Sequence, residues 1–174
     1  MKPGHSRFLG FLIAALPLAL LSGAPMADSM DDSWKADRVL VVKSDRKLHL
    51  LRNGQVMRSY DISLGKNPVG PKVEEGDLRT PEGDYVIDWR NPNSDFYMSM
   101  HISYPGPDDI GRARRRGVSP GSMIMIHGLP NNSEPTRLDY LDDDWTDGCI
   151  AVSNQAMIDI WLSVADQTPI TIRP

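Results

Sequence analysis

The dipeptide Asn53-Gly54 is the local feature that most restricts how this chain can fold. It separates residues 47–52 from residues 55–62, two short segments in which apolar residues recur. Asn-Gly between such segments is the strongest short-range signal for a β-hairpin, because both central turn positions require positive φ. Residues 38–43, just upstream, are rich in valine and end at a Ser-Asp turn signal. The pattern predicts an antiparallel meander of three strands.

Strand-forming patterns also dominate the rest of the chain. Four further strands are predicted, at residues 85–89, 96–104, 123–126 and 169–173. Two helices are predicted, at residues 107–117 and from an N-capping Ser153 to residue 165. Residues 65–84 hold four glycines and three prolines, and a connection this long is usually functional. We expect a mainly β domain with a few helices and a loop at 65–84 that faces a substrate. One main helix should pack near the functional residues considered below.

The first 27 residues have the layout of a secretory signal peptide. Lys2, His5 and Arg7 precede an apolar run of 14 residues, and small residues follow it. The run is shorter than the roughly 20 apolar residues of a membrane-spanning helix. An uncleaved N-terminal anchor is the alternative, and it would be the chain's contact with a membrane. We expect a signal peptide at 1–27, a flexible lead at 28–37 and one folded domain at 38–174, exported to the periplasm or cell envelope.

Charge and size narrow the classes of function. The chain has 19 Lys+Arg and 23 Asp+Glu, a net charge of −4, and the part after residue 27 has 17 against 23. An acidic domain is a poor nucleic-acid binder, because contacts to phosphates need a basic face. The length of that part suits a single compact domain with a real core. We expect no nucleic-acid partner, no cofactor and no metal.

Cys149 is the only cysteine of the chain. An exported chain with one thiol cannot close an internal disulfide, so the thiol is reactive, linked to a partner, or buried and inert. It follows Gly148, and the apolar segment 123–126 ends at His127. A histidine base commonly activates a cysteine nucleophile. This pattern predicts acyl transfer in which Cys149 attacks a carbonyl and His127 accepts the thiol proton.

Neighbouring groups extend that prediction. The amides of Gly148 and Cys149 are candidates for an oxyanion hole, and the glycine lets a substrate carbonyl approach the backbone. The helix that begins near Ser153 would add a positive N-terminal field if Cys149 faces it. His127 lies 22 positions before Cys149, so contact between the two requires the intervening loop to fold back.

Other polar residues each allow two interpretations. His101 either lines the site or is a hydrogen-bonded structural histidine. The arginines at 112 and 114–116 fit a solvated helix face or a clamp for a substrate carboxylate. The aspartates at 139 and 142–144 fit a solvated acidic loop or a site for an ammonium group or calcium.

These motifs together resemble a known family. His127-Gly128, followed by residues 146–150 (TDGCI) and Asn154, is similar to the signature of the L,D-transpeptidase catalytic domain of the YkuD type. Residues 80–85 (TPEGDY) resemble that family's Thr-Pro-x-Gly-x-aromatic segment, and residues 63–66 resemble the piece before it. The similarity covers about residues 38–173, and the variant around Cys149 resembles a YafK-like subgroup.

The resemblance implies a β-sandwich-like catalytic fold and peptidoglycan stem peptides as substrate, hence a part in cell-wall biogenesis and cell shape. It implies Cys149 as nucleophile, His127 as base and the Gly128 carbonyl as the group that orients the imidazole. The remaining candidates for oxyanion or substrate binding are Gly148, Thr146, Asp147 and His101.

The acceptor stays open at this stage. It is another stem peptide, a wall-anchored protein, or water, and water would make the protein a hydrolase of a stem or stem-to-protein amide. A non-catalytic wall-binding module would need no titratable thiol. A metallohydrolase would use His101, His127 and an aspartate, but the sequence has no short-spaced pair of histidines.

Two residues depart from the family pattern. Asp147 stands where most members have histidine, and Ala151 stands where most have arginine. An arginine would bind a carboxylate through two hydrogen bonds, which alanine cannot do. The replacements predict a pocket less attractive to a terminal carboxylate, which favours hydrolysis of a different amide.

Overall fold

The computed structural model describes Met1, residues 32–132 and residues 143–174. Residues 32–174 contain one eight-stranded sheet with the strand order β3-β2-β1-β8-β4-β5-β6-β7. The strands are β1 Arg38–Val42, β2 Lys47–Arg52, β3 Gln55–Asp61, β4 Gly83–Asn91, β5 Ser99–Ile102, β6 Met125–His127, β7 Ile150–Ala151 and β8 Thr168–Arg173. The helices are α1 Pro107–Arg116 and α2 Asn154–Ser163. The prediction of a mainly β fold is confirmed, and the described strands form a single curled sheet.

The predicted meander is present at one edge of the sheet. β1 pairs antiparallel with β2, and β2 pairs antiparallel with β3. The turn residues Asn53 and Gly54 have φ values of 51° and 75°, as the hairpin signal requires. β1 alternates buried and partly exposed residues, which places Val39 and Val41 in the core.

The C-terminal strand lies in the middle of the sheet. β8 runs parallel to β1 and antiparallel to β4, so it joins the meander to the half of the sheet that carries the site. Ile170 and Ile172 of β8 are buried in the same apolar core as Ile160 and Met157 of α2. This central strand fixes the position of β4, to which β5 and then β6 are added.

The strands nearest the site differ from the prediction. The strand expected at 96–104 is limited to Ser99–Ile102. Its first residues are not in the strand, because Met98 has a φ of 50°, outside the strand region. β7 was not predicted, and it runs parallel to β6 with His127 opposite Ala151. This short pairing places Ile150, the residue after Cys149, opposite Ile126, the residue before His127.

Both predicted helices are present. α1 ends at Gly117, whose φ of 71° is the left-handed conformation typical of a helix terminus. The Ser153 side chain accepts a hydrogen bond from the Ala156 amide, which confirms the predicted cap of α2. Within the described residues, no helix is long and apolar enough to cross a membrane.

The predicted signal peptide lies outside the described residues. Residues 32–37, assigned to the flexible lead, are held against the domain. Asp32–Trp34 form a 3-10 turn, and the amides of Ala36 and Asp37 donate to the carbonyls of Ser163 and Leu51. The attached part of the chain therefore begins earlier than residue 38.

The loop between β3 and β4 is anchored by two buried lysines. Lys43 is 2% exposed, and its Nζ donates to the carbonyls of Gly70 and Thr80 and to the Glu82 carboxylate. Lys43 and the partly buried Glu82 thus form an ion pair, with 2.8 Å between Nζ and the carboxylate oxygen. Lys72, 4% exposed, pairs with Asp77 at 2.8 Å. These anchors fix the path of the loop past the turn at residues 146–148.

Candidate active site

Cys149 lies between a tight turn and β7. Its sulfur donates to the Met123 carbonyl at 3.7 Å, and the Met125 amide also forms a hydrogen bond with it. Met123 has a φ of 62°, an uncommon conformation for a residue other than glycine. The backbone before and within β6 thus holds the thiol.

Thr146 and Gly148 shape the turn. The Thr146 hydroxyl donates to the Cys149 carbonyl at 2.7 Å and accepts from the Gly148 amide at 3.1 Å. Gly148 has a φ of 132°, and a Cβ there would lie 2.7 Å from the Arg79 carbonyl oxygen. The Gly148 amide therefore already donates a hydrogen bond within the turn. Of the two amides predicted to form an oxyanion hole, that of Cys149 remains the candidate.

His127 ends β6 and is almost fully buried, with 2% exposure. Its Nδ1 lies 2.7 Å from the Gly128 carbonyl oxygen. Because a carbonyl can only accept, Nδ1 carries the proton in this hydrogen bond, and Nε2 is left as the basic nitrogen. The expected contact between the Gly128 carbonyl and the imidazole is thus present.

Gly128 is surrounded too closely for any side chain. A Cβ there would lie 2.6 Å from Asn154 Oδ1 and 2.7 Å from the Tyr97 carbonyl oxygen. Asn154 Oδ1 also accepts a hydrogen bond from the Leu129 amide at 2.8 Å. The first residue of α2 therefore holds the backbone just after His127, which connects the His-Gly motif to the asparagine of the signature.

Burial makes both reactive groups neutral at rest. It lowers the pKa of His127 below its usual value, and the hydrogen bond to Gly128 opposes this change only in part. Burial raises the pKa of the Cys149 thiol, and the Asp147 carboxylate adds to the rise, while the Met125 amide opposes it. The thiol of Cys149 and the imidazole of His127 are thus both uncharged at neutral pH.

Two aromatic rings that sequence reasoning did not single out enclose His127. The ring of Phe96 lies 4.2 Å from the imidazole, centroid to centroid, and that of Trp145 lies 5.7 Å from it, edge on. Their contacts with the imidazole account for part of the burial of His127. Trp145 is next to the motif at 146–150, which was a usable signal, whereas Phe96 reaches the site only through the fold.

Two cavities meet at the thiol and the imidazole. One, of about 260 Å³, is lined by Lys66, Phe96, His127, Trp145, Thr146, Asp147 and Cys149. The other, of about 280 Å³, is lined by Asn91, Asn93, Ser94, Asp95, Phe96, Ser99, Met123, Met125, His127 and Cys149. We call them the Trp145 cavity and the Met123 cavity. Cys149 and His127 line both, so a group in either cavity has access to the Cys149 thiol.

The two departures from the family pattern have different surroundings. Asp147 is exposed at the Trp145 cavity and pairs with Lys66 at 2.9 Å. Ala151 is fully buried, opposite His127 in β7 and bridged to Ser63. Residue 151 therefore packs in the interior of the sheet in this chain.

The other candidates lie elsewhere. His101 is not among the described residues that line the Trp145 and Met123 cavities. Its Nδ1 lies 2.6 Å from the Asp88 carboxylate, and its ring stacks on that of Trp89. Arg112 contacts the buried Asp109 on its own helix. Asp144 pairs with Arg46 and accepts from the Leu64 amide, so it is a structural group.

Asp139 and Asp142 lie outside the described residues. Among the described ones, no cluster of three or more His, Cys, Asp or Glu side chains has an arrangement that could hold a metal ion.

The fold and the motifs have counterparts among known proteins. The family model of the L,D-transpeptidase catalytic domain, YkuD, matches residues 36–172. The Escherichia coli (strain K12) protein named "Putative L,D-transpeptidase YafK" is 31% identical over 130 residues, which are 71% of this chain and 45% of that protein. The chain thus spans about half the length of the curated relatives it matches.

Solved structures agree with the family match. The helical cell shape determining protein Pgp2 from Campylobacter jejuni is 28% identical, with a TM-score of 0.59 over 78% of this chain and 46% of that one. The L,D-transpeptidase from Xylanimonas cellulosilytica shares the fold at 18% identity, with a TM-score of 0.51 over 79% of this chain and 60% of that one.

Proposed function

The chain belongs to the L,D-transpeptidase catalytic domain family, and from that premise we propose that it is a cysteine-dependent acyltransferase acting on peptidoglycan stem peptides. One observation carries the proposal: Cys149 and His127 line the same two cavities, with Nδ1 of the imidazole bound to the Gly128 carbonyl. This leaves Nε2 as the basic nitrogen of a residue that lines the same cavities as the thiol.

The first half of the reaction forms a thioester. Cys149 Sγ attacks the carbonyl carbon of the donor amide while His127 Nε2 takes the thiol proton. The negative charge that develops on the carbonyl oxygen is stabilised by the Cys149 amide. The tetrahedral intermediate then collapses, the carbon–nitrogen bond breaks, and His127 returns the proton to the leaving amine.

The second half transfers the acyl group. An acceptor amine or a water molecule gives a proton to His127 and attacks the thioester carbonyl, and the carbon–sulfur bond breaks. The proton on His127 then returns to the Cys149 sulfur. Since both cavities open on Cys149, a donor in one leaves the other free for the acceptor.

The cellular setting follows from the same proposal. A protein that acts on stem peptides works in the periplasm or cell envelope, which agrees with the signal-peptide pattern of residues 1–27. Pgp2 is named as a determinant of cell shape, and a wall enzyme fits that description. A wall-anchored protein as the acyl acceptor or leaving group is part of the proposal. A non-catalytic wall-binding module would have no need of a base beside the thiol.

The test is turnover of defined muropeptides, with the products resolved by mass. We expect the wild-type protein to form a cross-linked dimer, or to release a terminal residue if water is the acceptor. A stem linked to a protein lysine, supplied in a parallel reaction, reports hydrolysis of that link. We expect Cys149→Ala to abolish all three reactions and His127→Gln to slow them by about 10²–10⁴-fold.

His49→Gln is the matched control. His49 lies on β2, where its Nδ1 is 2.8 Å from the Ser59 hydroxyl, and it lines neither cavity at Cys149. Its replacement should leave every rate unchanged. Turnover by Cys149→Ala at the wild-type rate would refute the cysteine mechanism, and a folded protein inactive on all substrates would refute acyl transfer on stem peptides.

A further inference from the structure

Lys66 is a cationic residue on the wall of the Trp145 cavity. Among the described residues that line the Trp145 and Met123 cavities, it is the only lysine or arginine. It comes from the loop after β3 and reaches the cavity wall next to Asp147, two positions before Cys149.

The backbone of Lys66 is fixed to the nucleophile turn. Its amide donates to the Thr146 carbonyl at 2.9 Å, and the preceding Gly65 amide donates to the Thr80 hydroxyl at 3.1 Å. A Cβ on Gly65 would lie 2.2 Å from the Leu78 carbonyl oxygen and 3.1 Å from the Gly148 Cα, so the loop packs directly on the turn. The position of the Lys66 backbone relative to Cys149 is therefore set by the fold, and its flexible side chain extends from this fixed point.

The side chain of Lys66 is free to change partners. It is 54% exposed and Asp147 is 77% exposed, with the two 2.9 Å apart. Exposed ion pairs contribute little net free energy, so breaking this one costs little. A carboxylate held within the cavity would be less solvated than Asp147 and would form a stronger charge-assisted hydrogen bond.

We propose that Lys66 binds a carboxylate of the stem-peptide substrate, and that Asp147 competes for the same ammonium group. The inference rests on the proposed function and specifies how that site selects its donor. It assigns to Lys66 the carboxylate contact that an arginine at position 151 would make. Ala151 has no polar group for that contact and is fully buried in β7. It also means that the loss of arginine at 151 does not by itself make the pocket unfavourable to a free carboxylate.

The experiment compares donors that differ only in charge. They are a stem tetrapeptide with free carboxylates, the same peptide amidated at its terminus, and the same peptide amidated at a carboxylate within the stem. The readout is the ratio of kcat/KM for the free peptide to kcat/KM for each amidated one. Changes in thiol reactivity act on all three donors alike and cancel in this ratio, including any caused by removing the charge of Asp147.

The variants should move that ratio in opposite directions. We expect Lys66→Met to lower it by about tenfold for whichever amidation removes the bound carboxylate. Asp147→Asn should raise it by about twofold to threefold, because the competitor is removed. Lys47→Met is the matched control, since Lys47 forms an exposed ion pair with Asp61 on β2 and β3 and should leave the ratio unchanged.

The outcomes separate this inference from the proposed function. If the donors are turned over and both ratios in Lys66→Met equal the wild-type values, Lys66 binds no carboxylate, while acyl transfer stands. If the protein turns over no donor, calorimetric binding of the three peptides to Cys149→Ala and to Cys149→Ala/Lys66→Met decides. Binding that depends on Lys66 and on one carboxylate supports the inference even then, whereas binding independent of Lys66, or no binding, refutes it.

Discussion

At the scale of single residues, Cys149 and His127 are each held by backbone groups. The thiol contacts the backbone of Met123 and Met125, and the imidazole contacts the Gly128 carbonyl. Both lie in surroundings that disfavour charge, so the resting pair is neutral. In the proposed mechanism, the thiol loses its proton only as it attacks an acyl group, which limits its side reactions when no substrate is bound.

Ser99 gives a stability prediction at the same scale. Its hydroxyl oxygen is buried without a hydrogen-bond partner, one of two such side-chain atoms among the described residues. A buried hydroxyl without a partner costs about 1–3 kcal/mol. We therefore expect Ser99→Ala to keep or raise the free energy of unfolding, by up to about 1 kcal/mol, as measured by urea denaturation.

Ser103 is the control for that measurement, because it lies four residues further along the same segment. Its hydroxyl accepts a hydrogen bond from the Val86 amide at 2.9 Å. Ser103→Ala leaves that amide without its partner and should lower the free energy of unfolding by about 1 kcal/mol. Equal destabilisation by the two substitutions would contradict the interpretation of Ser99.

The residues that sequence reasoning placed at the site differ in kind from those it missed. Cys149 and His127 were predicted as site residues because a single thiol and a histidine at the end of a strand are residue types with a known joint chemistry. Both line the same two cavities. Phe96 and Lys66 were not predicted as site residues, although Phe96 begins the strand predicted at 96–104 and Lys66 lies in the loop predicted to face the substrate. Local sequence does not specify which side chains of these segments line the cavities at Cys149. Ala151 was read as a lost substrate contact, although its surroundings are the interior of the sheet.

At the scale of elements, the parallel pairing of β6 with β7 brings the two motifs together, and α2 secures it through Asn154. The hairpin, β8 and both helices were predictable from turn residues, apolar periodicity and a capping serine. β7 was not, because two residues, Ile150 and Ala151, are too few to show a period. The central position of β8 is a long-range pairing that local sequence does not specify.

Gly128 tests whether the packing of α2 against β6 positions the base. Gly128→Ala puts a methyl group within 2.8 Å of atoms of Asn154 and Tyr97, so backbone has to move. We expect a loss of about 1–3 kcal/mol in the free energy of unfolding. We also expect kcat to fall, because the carbonyl that orients His127 shifts.

Gly111→Ala makes the same chemical change where there is room. Gly111 lies in the interior of α1, and its nearest neighbour would be Arg115 Nη1 at 3.6 Å. Alanine there should stabilise the helix by about 0.5–1 kcal/mol and leave kcat unchanged. A Gly128→Ala variant as stable and active as Gly111→Ala would show that Asn154 does not constrain the His-Gly motif.

At the scale of the whole molecule, stability and the resting state of the site depend on the same buried groups. Lys43 and Lys72 anchor the loop that carries Lys66, and His127 is buried beneath two aromatic rings. Burial lowers the pKa of Lys43, and the Glu82 carboxylate opposes this change. Because ion pairs hold the loop against the rest of the domain, acid should change both the stability of the domain and the geometry of the candidate site.

Acid should destabilise the domain in two steps. The pKa of His127 is lowered by burial, so below pH 6.5 the unfolded chain binds a proton that the folded chain does not. Burial alone would raise the pKa of Asp77, but Lys72 and three backbone amides lower it below 3.8, so a second loss begins there. In both ranges the unfolded state binds more protons, and each group contributes a slope of at most about 1.4 kcal/mol per pH unit. Urea denaturation from neutral pH to about pH 3 measures both steps.

His127→Gln should remove the first step and keep the second, whereas His49→Gln should keep both. A wild-type stability that stays constant from pH 6.5 down to 3.8 would mean that His127 takes up its proton as easily in the folded protein as in the unfolded chain, and the neutral base proposed for the site would then be wrong.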